Sequence, residues 1–406
     1  MQTLSTICRL RRVALIYDSA VAYDVCVIRG VAAYLQRTPG WNVYIAGNSL
    51  KEQHMADLSS WEIDGIVANF DDPSVAAAVM NSKLPAVGFG SGYGWYAPES
   101  RIPYFFTNNE AIARLAAEHL LARGLQNFAY CGYERNATNG WSEEREREFT
   151  KQTNDRGFAC QIYQGGDWNK PHWASIQDGL CAWLLSLPKP VGIMAGNDNR
   201  ARQVLEACRV CGLKVPEQVA VIGVDNDEVV CHLSSPLLSS IEQGAQRIGY
   251  EAASLLDQIM KGKQCGKRKY LVDPVGVLAR TSTDVPAIVD SQVTTAVCYI
   301  REHACQGIKV LQVVAAVKTS RSGLEARFKA QLGKTLHQAI VEVKVDKAKS
   351  LVGETDLSPK EIAAVTGFKS VQHMSSVFRE AVGLPPAAYR RGLLSSRSER
   401  GPRGLN

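Results

Sequence analysis

From Arg12 to about Arg280, short apolar runs rich in Val, Ile and Ala alternate with longer stretches whose apolar residues recur every three to four positions. The short runs VALIYD, WNVYIAG, DGIVANF, PAVGFG, YFFTNN, NFAYCGY, VGIMAGND and VAVIGVDN predict strands. Between them, AYDVCVIRGVAAYLQR, ARLAAEHLLARG, WASIQDGLCAWLLSL and ARQVLEACRVCGL predict helices. Strands that alternate with helices over such a length predict an α/β fold built on parallel sheets. Ligands of such sheets bind beyond the carboxyl ends of the strands, so the residues just after each run are the ones to inspect.

The alternation stops near Val285-Pro286, and after Val293 the pattern is helical throughout. This predicts a multi-domain chain: an α/β domain over 1–285, an all-α domain over 286–392, and a frayed polar tail over 393–406. Within the second domain, Ser358-Pro359-Lys360-Glu361 supplies an N-cap, a proline at the first helical position and a capping-box glutamate. The helix that starts there ends at Thr366-Gly367-Phe368, and a second runs from about Ser370 to Val382. Upstream, Lys309 to Val317, the polar turn Lys318-Thr319-Ser320, and Arg321 to Leu332 repeat the plan. Two helix-turn-helix units are predicted, with Leu324, Phe328, Met374 and Phe378 in their cores.

Charge sharpens this division. The 406 residues carry a net charge of +6, yet from Ile288 onward there are 18 Lys and Arg against 10 Asp and Glu, while the remainder holds 28 against 30. A compact basic domain on a near-neutral one is the electrostatic footprint of a nucleic-acid binder. One basic run lies outside it: Lys261 to Lys269, KGKQCGKRK, reads as a solvated loop between elements rather than a DNA arm. Apolar content of 46% with no run long enough for a membrane span or a signal-peptide core places the expected site of action in the cytoplasm. Eleven cysteines, odd in number and scattered, read as thiols. Cys208-Arg-Val-Cys211 has no second ligand pair nearby to complete a metal site, and Asn136-Ala-Thr138 matches a glycosylation acceptor without the secretion that would make it one. Gly88 to Gly94, GFGSGYG, lacks the spacing of a phosphate-binding loop, and no nucleophile or metal motif appears, so an enzyme is not expected and neither a catalytic residue nor a cofactor is assigned.

The predicted strand ends are polar: Asp18, Asn69 with Asp71 and Asp72, Asn108 with Asn109, Asn197 with Asp198, and Asp225 with Asn226 and Asp227. Carboxylates accept and amides both donate and accept, which suits vicinal sugar hydroxyls, although single Asp and Asn residues at such junctions are also ordinary caps and turns. In the all-α domain the second helix of each unit is the one expected in the major groove. Arg321, Ser322, Glu325, Gln372, His373 and Ser376 are the candidates for base edges, with Lys329, Lys369 and Arg379 for phosphates. Ser320, Arg327 and Ser370 complete the expected DNA-facing set.

Residues of about 295–391 resemble the DNA-binding domain of the AraC/XylS family of regulators. The resemblance is carried by SRSGLEARFKAQLGKT and by LSPKEIAAVTGFKSVQHMSSVFREAVGLPPAAYR, which ends in that family's Gly-x-x-Pro-x-x-Tyr-Arg pattern at Gly383, Pro386, Tyr389 and Arg390. Lys318 in the first turn, Gly323 in the first recognition helix and Met374 in the second depart from it. The first domain resembles the ligand-binding domain of lactose-repressor-type regulators and periplasmic sugar-binding proteins, on GNDNRARQVL, VPEQVAVIGVDNDE and SSIEQGAQRIGYEAASLL. The combination implies a two-lobed sugar sensor joined to two helix-turn-helix units: a transcription activator that acts on double-stranded DNA as a homodimer, with RNA polymerase as a further contact and no membrane partner. D-xylose is the effector it implies, another pentose or small carbohydrate being the alternative. Carried over by motif, Arg145, Asn197, Asp198, Asp225, Gln243 and Asn108 are the implied sugar contacts, with Tyr23 and Trp141 added for ring packing. Asn108 stands where that family usually has Asp.

Overall fold

The computed structural model describes residues 10–46, 62–92, 101–135, 139–165, 173–266, 268–284, 290–355 and 357–391. The Asn136-Ala-Thr138 motif, set aside as a glycosylation site, the expected domain joint at Val285-Pro286 and the C-terminal tail lie outside them. The chain forms two compact units, Met1–Val285 and Pro286–Asn406.

The first unit holds two six-stranded sheets. Strands β1 (Arg11–Ile16), β2 (Trp41–Ala46), β3 (Gly65–Asn69), β4 (Ala86–Gly90), β5 (Tyr104–Thr107) and β11 (Lys269–Val272) form an all-parallel sheet in the order β2-β1-β3-β4-β5-β11. Strands β6 (Asn127–Tyr133), β7 (Cys160–Gly165), β8 (Val191–Ala195), β9 (Val219–Val224), β10 (Ser239–Glu242) and β12 (Gly276–Leu278) form the other, in the order β7-β6-β8-β9-β10-β12, with only β12 antiparallel. Burial on both faces explains why β4, β8 and β9 read as unbroken apolar runs rather than alternating ones.

Helices α1 (Ala22–Arg37), α2 (Pro73–Ser82), α3 (Asn109–Leu121), α4 (Gly140–Asn154), α5 (Trp173–Ser186), α6 (Asp198–Val210), α7 (Glu228–Leu233) and α8 (Ala245–Met260) cover the sheets. Helices α1 and α8 cross so closely that a Cβ on Gly30 or Gly249 would lie under 2 Å from the opposing backbone oxygen, of Gln246 or Val27. The chain passes between the lobes three times: from β5 into α3, from β10 into α8, and from β11 into β12. These passages are laced together. Asn108 donates its backbone N–H to Val272 (2.9 Å) and its side-chain Nδ2 to Asp273 (2.8 Å), while the Val275 N–H reaches the Glu242 carbonyl (2.8 Å). Gly244 lies beside them at φ 75°, where a Cβ would come within 2.9 Å of the Asp273 carbonyl.

Among its described residues the second unit is helical, without strands: α9 (Ser291–His303), α10 (Val310–Val317), α11 (Arg321–Leu332), α12 (Leu336–Glu354), α13 (Pro359–Val365) and α14 (Val371–Val382), with helical residues again at 386–391. Two cores divide it. Leu324 and Phe328 pack with α9, α10 and the start of α12, whereas Met374 and Phe378 pack with the end of α12 and α13. All four are fully buried. Ser320, Thr335, Ser358 and Ser370 each cap the helix that follows, and the starts at Ser320, Ser358 and Ser370 are those legible in the sequence.

Candidate functional site: an inter-lobe cavity and two recognition helices

Between the lobes lies a cavity of about 260 Å³. The first lobe contributes Asp18 after β1, Tyr23 and Asp24 at the start of α1, Asn69 as the last residue of β3 with Asp71 and Asp72 after it, and Ser91 after β4. The second contributes Trp141 and Arg145 on α4, Asn197 after β8, Asp225 after β9 and Gln243 after β10. With α1 and α4 supplying the rest, the strand-end residues come from the carboxyl ends of their strands, as the fold requires.

Arg145 is the hub. It is 1% exposed, and its guanidinium donates to Asn109 Oδ1 (2.8 Å), the Gly196 carbonyl (2.7 Å) and Gln243 Oε1 (2.8 Å) while lying 4.8 Å from the Trp141 ring centroid. Asn109 turns its amide to the Ser91 carbonyl (2.9 Å) and to Glu144 (2.7 Å), so one side chain links the first lobe to the arginine of the second. Gln243 in turn donates to Asp225. Asn197 caps α6 through the Arg200 N–H (2.9 Å) and accepts from the Tyr133 hydroxyl (2.8 Å).

Burial makes the cavity carboxylates costly to ionise. Asp24, fully buried, accepts from the Asp18 N–H (2.8 Å) and Asn69 Nδ2 (2.7 Å), yet burial still pushes its carboxyl up to about 7. Burial likewise lifts Asp71 to about 6 against hydrogen bonds from the Ser91 N–H and hydroxyl, and lifts Asp225 to about 6 against the charge of Arg145. Asp225 and Asn226 also carry positive φ angles of 119° and 52°, a conformation that side chains with a Cβ adopt only when surroundings enforce it. Ser240 Oγ accepts the Asn226 N–H (3.0 Å), Asp198 accepts the Asp227 N–H (2.8 Å), and Arg280 donates to the Asn226 side-chain Oδ1 (2.8 Å).

Of the expected sugar contacts, Tyr23, Trp141, Arg145, Asn197, Asp225 and Gln243 are brought together on the cavity wall. Tyr23 is mostly committed inward, donating to the Gly90 carbonyl (2.6 Å). Asn108 and Asp198 are not on the wall. Asn108 caps α3 and ties the crossing strands, which turns it away and leaves Asn109 behind Arg145. Asp198 is 1% exposed, accepts from the Ser240 hydroxyl (2.6 Å), and occupies space that a side chain on Gly223 would fill, so it supports the 225–227 turn from beneath. Asp24 and Ser91 were absent from the expected contacts: one is inside a helix and the other in a stretch that reads as a permissive loop.

In the second unit, Arg321, Ser322, Lys329, Lys369, Ser370, Gln372, His373, Ser376 and Arg379 are exposed on or beside α11 and α14. Glu325 pairs with Arg321 (2.9 Å). Ser320 and Ser370 use their hydroxyls as caps for the Gly323 and His373 N–H groups. Arg327 departs from the DNA-facing expectation, because its guanidinium folds back onto the Gly323 carbonyl (3.1 Å), Thr319 (3.3 Å) and Asp290 (3.6 Å). Among the described residues no cluster of His, Cys, Asp or Glu is arranged to hold a metal, and no helix is long and apolar enough to cross a membrane.

Residues 12–110 match the XylR N-terminal domain model, 117–283 the periplasmic binding protein-like domain and 313–392 a helix-turn-helix domain. The xylose operon regulatory protein of Haemophilus influenzae is 36% identical over 93% of this chain and 98% of its own, and that of Escherichia coli K12 is 37% identical over 93% and 96%. The chain belongs to the family of xylose operon regulatory proteins. It is a sugar-responsive, DNA-binding transcription activator and not an enzyme. A solved structure described as a xylose-binding transcription activator matches the regulator with a TM-score of 0.80 at 37% identity, over 94% of this chain and 98% of that one. A cellobiose-bound regulator matches the sensor fold alone, at 20% identity and a TM-score of 0.56 over 68% of this chain and 86% of that one.

Proposed function

We propose that D-xylose is the effector and that it binds in the Arg145-centred cavity between the lobes. The observation that carries this reading is a small chamber, lined largely by polar residues, whose wall is divided between two lobes joined by three passages of the chain. At about 260 Å³ it is below the usual range for drug-sized ligands and suits a monosaccharide. Asp24, Asp71 and Asp225 accept from hydroxyls, Arg145 and the amides of Asn69, Asn197 and Gln243 donate, and the Trp141 ring offers an apolar face to the sugar ring. Asn108 and Asp198 act behind the wall as positioning residues.

Sugar favours the closed sensor because only there do both half-walls reach it, and a ligand shifts an equilibrium only through such differential affinity. In this reading the regulator works in the cytoplasm as a homodimer. Closed sensors favour the dimer state whose C-terminal units occupy two half-sites, base readout falls to Arg321, Ser322, Glu325, Gln372, His373 and Ser376, and bound RNA polymerase activates genes of xylose use. Affinity for promoter DNA of xylose-utilisation genes, measured with and without D-xylose, is expected to differ by about 5- to 150-fold, the usual span of a coupling free energy. Equal affinities, with xylose shown by calorimetry to bind, overturn the coupling. A pentose other than xylose that binds tighter in the same calorimeter overturns the choice of sugar.

A further inference from the structure

The spacing Cys208-Arg-Val-Cys211, which lacks the ligands of a metal site, falls at the end of helix α6. The fold brings a third thiol to it. Cys181 on α5 donates to the Ala207 carbonyl (3.6 Å), and Cys211, just beyond the last residue of α6, donates to the same oxygen (2.8 Å). Two sulfurs from separate helices therefore meet on one atom, at the edge of the core that α5 and α6 share. Cys208 belongs to that core and is 1% exposed, whereas Cys181 and Cys211 are half-buried and open to a small solute. All three are free thiols. Among the described residues no three His, Cys, Asp or Glu side chains are arranged to hold a metal, which leaves thiol chemistry to this cluster.

We propose that Cys181 and Cys211 are a redox-modifiable pair, which a peroxide closes into a disulfide between α5 and the end of α6. The pair divides the work. Burial first, and then the neighbouring Cys211 thiol and Asp178, push the Cys181 thiol up to about 11, so the first attack falls to Cys211. Lys189, held by the carbonyls of Leu184 (2.6 Å), Leu185 (3.1 Å) and Leu187 (2.6 Å), sets a cation within electrostatic reach of the Cys211 sulfur. The Cys211 sulfur attacks a peroxide oxygen: the S–O bond forms, the O–O bond breaks, and hydroxide leaves as water with the proton that the thiol gave up. Cys181 then loses its proton and attacks the sulfenic sulfur: the S–S bond forms, the S–O bond breaks, and a second water leaves. Two thiols have lost two electrons and one hydrogen peroxide has become two waters. In a reducing compartment such a bond is transient, made by oxidant and undone by dithiol reductants. It ties α5 to the far end of the helix whose first turn is capped by Asn197 at the cavity wall.

The test exposes the reduced full-length protein to hydrogen peroxide at neutral pH, blocks the remaining thiols by alkylation, and maps a non-reduced digest by tandem mass spectrometry. Of the eleven thiols, the first two lost are expected to be Cys181 and Cys211, recovered as one cross-linked peptide from a chain that runs as a single species on a non-reducing gel. A dithiol reductant is expected to restore both. Cys181→Ser is expected to stop at a Cys211 sulfenic acid, which dimedone traps, and Cys211→Ser to give no cross-link at Cys181. Either variant serves if the other melts early, and the wild-type map needs neither. A cross-link that joins Cys211 to Cys208 instead, a wild-type Cys211 that accumulates as sulfenic acid, or a pair that stays free while other thiols oxidise overturns the proposal.

Discussion

At the scale of single residues, the cavity is a place where ionisation has been made costly. Asp24, Asp71 and Asp225 all sit above the ordinary carboxylate range because burial removes water from their charge. Sugar hydroxyls that donate to these groups favour the ionised form, so the bound complex has the lower carboxyl pKa and binding is strongest above the free values of about 7 and 6. As pH falls through that window the free protein takes up protons that the complex must release. Affinity for D-xylose is therefore expected to drop by about tenfold between roughly pH 8 and pH 5.5. Titration calorimetry across that range checks it, and a flat profile would mean that hydroxyls do not donate to these carboxylates. The candidate site was legible where a polar residue follows an apolar strand, as at Asn197 and Asp225. It was hidden at Asp24, which lies within a helix whose periodicity is unremarkable, and it was misplaced at Asn108, where one residue of register decides between the hinge and the arginine behind the wall.

At the scale of elements, local chemistry explains which parts of the fold could be read. Both helix-turn-helix units were placed to within a residue because Ser320, Ser358 and Ser370 are caps with side-chain bonds to match. Helix α6 begins three residues before the apolar periodicity does, since Asn197 caps it and Asp198 is buried in its first turn. Helix α4, GWSEEREREFTKQTN, is too polar for its apolar stripe to stand out, yet it delivers Arg145. Strand β10, SSIE, does not stand out in the sequence because its hydroxyls are buried and satisfied by Asp198, Thr283 and the Arg280 carbonyl rather than by water. The Tyr-Arg ending of the chain's last helical segment also has a structural use. Tyr389 packs edge-on against Phe378, with ring centroids 5.7 Å apart, and Arg390 donates to the carbonyls of Val352 (3.0 Å) and Leu357 (2.9 Å). Arg390→Ala strips two carbonyls of a charged donor and is expected to cost the second unit about 1.5–3 kcal/mol, the range for charge-assisted bonds. Urea unfolding followed by circular dichroism measures it, and a loss within experimental error would reassign Arg390 to the DNA-facing surface.

At the scale of the whole molecule, the two compact units carry different tasks and different charge, and their responses to sugar should separate accordingly. Ligand that binds only folded sensor stabilises it by about 2.7 kcal/mol when free sugar stands at 100 times its Kd. Scanning calorimetry without DNA is expected to show the sensor transition rising with D-xylose while the helical unit's transition stays in place. A shift of both together would indicate one cooperative body instead.

The three laced passages between the lobes have a consequence for what counts as a signal. Straps that run side by side resist stretching and sliding, and they leave rotation about their common line as the soft motion. A jaw that can only swing measures thickness. A molecule thin enough to be met by both walls reports as an effector. A bulkier one that satisfies a single wall becomes a wedge, occupying the chamber while holding it in the silent state.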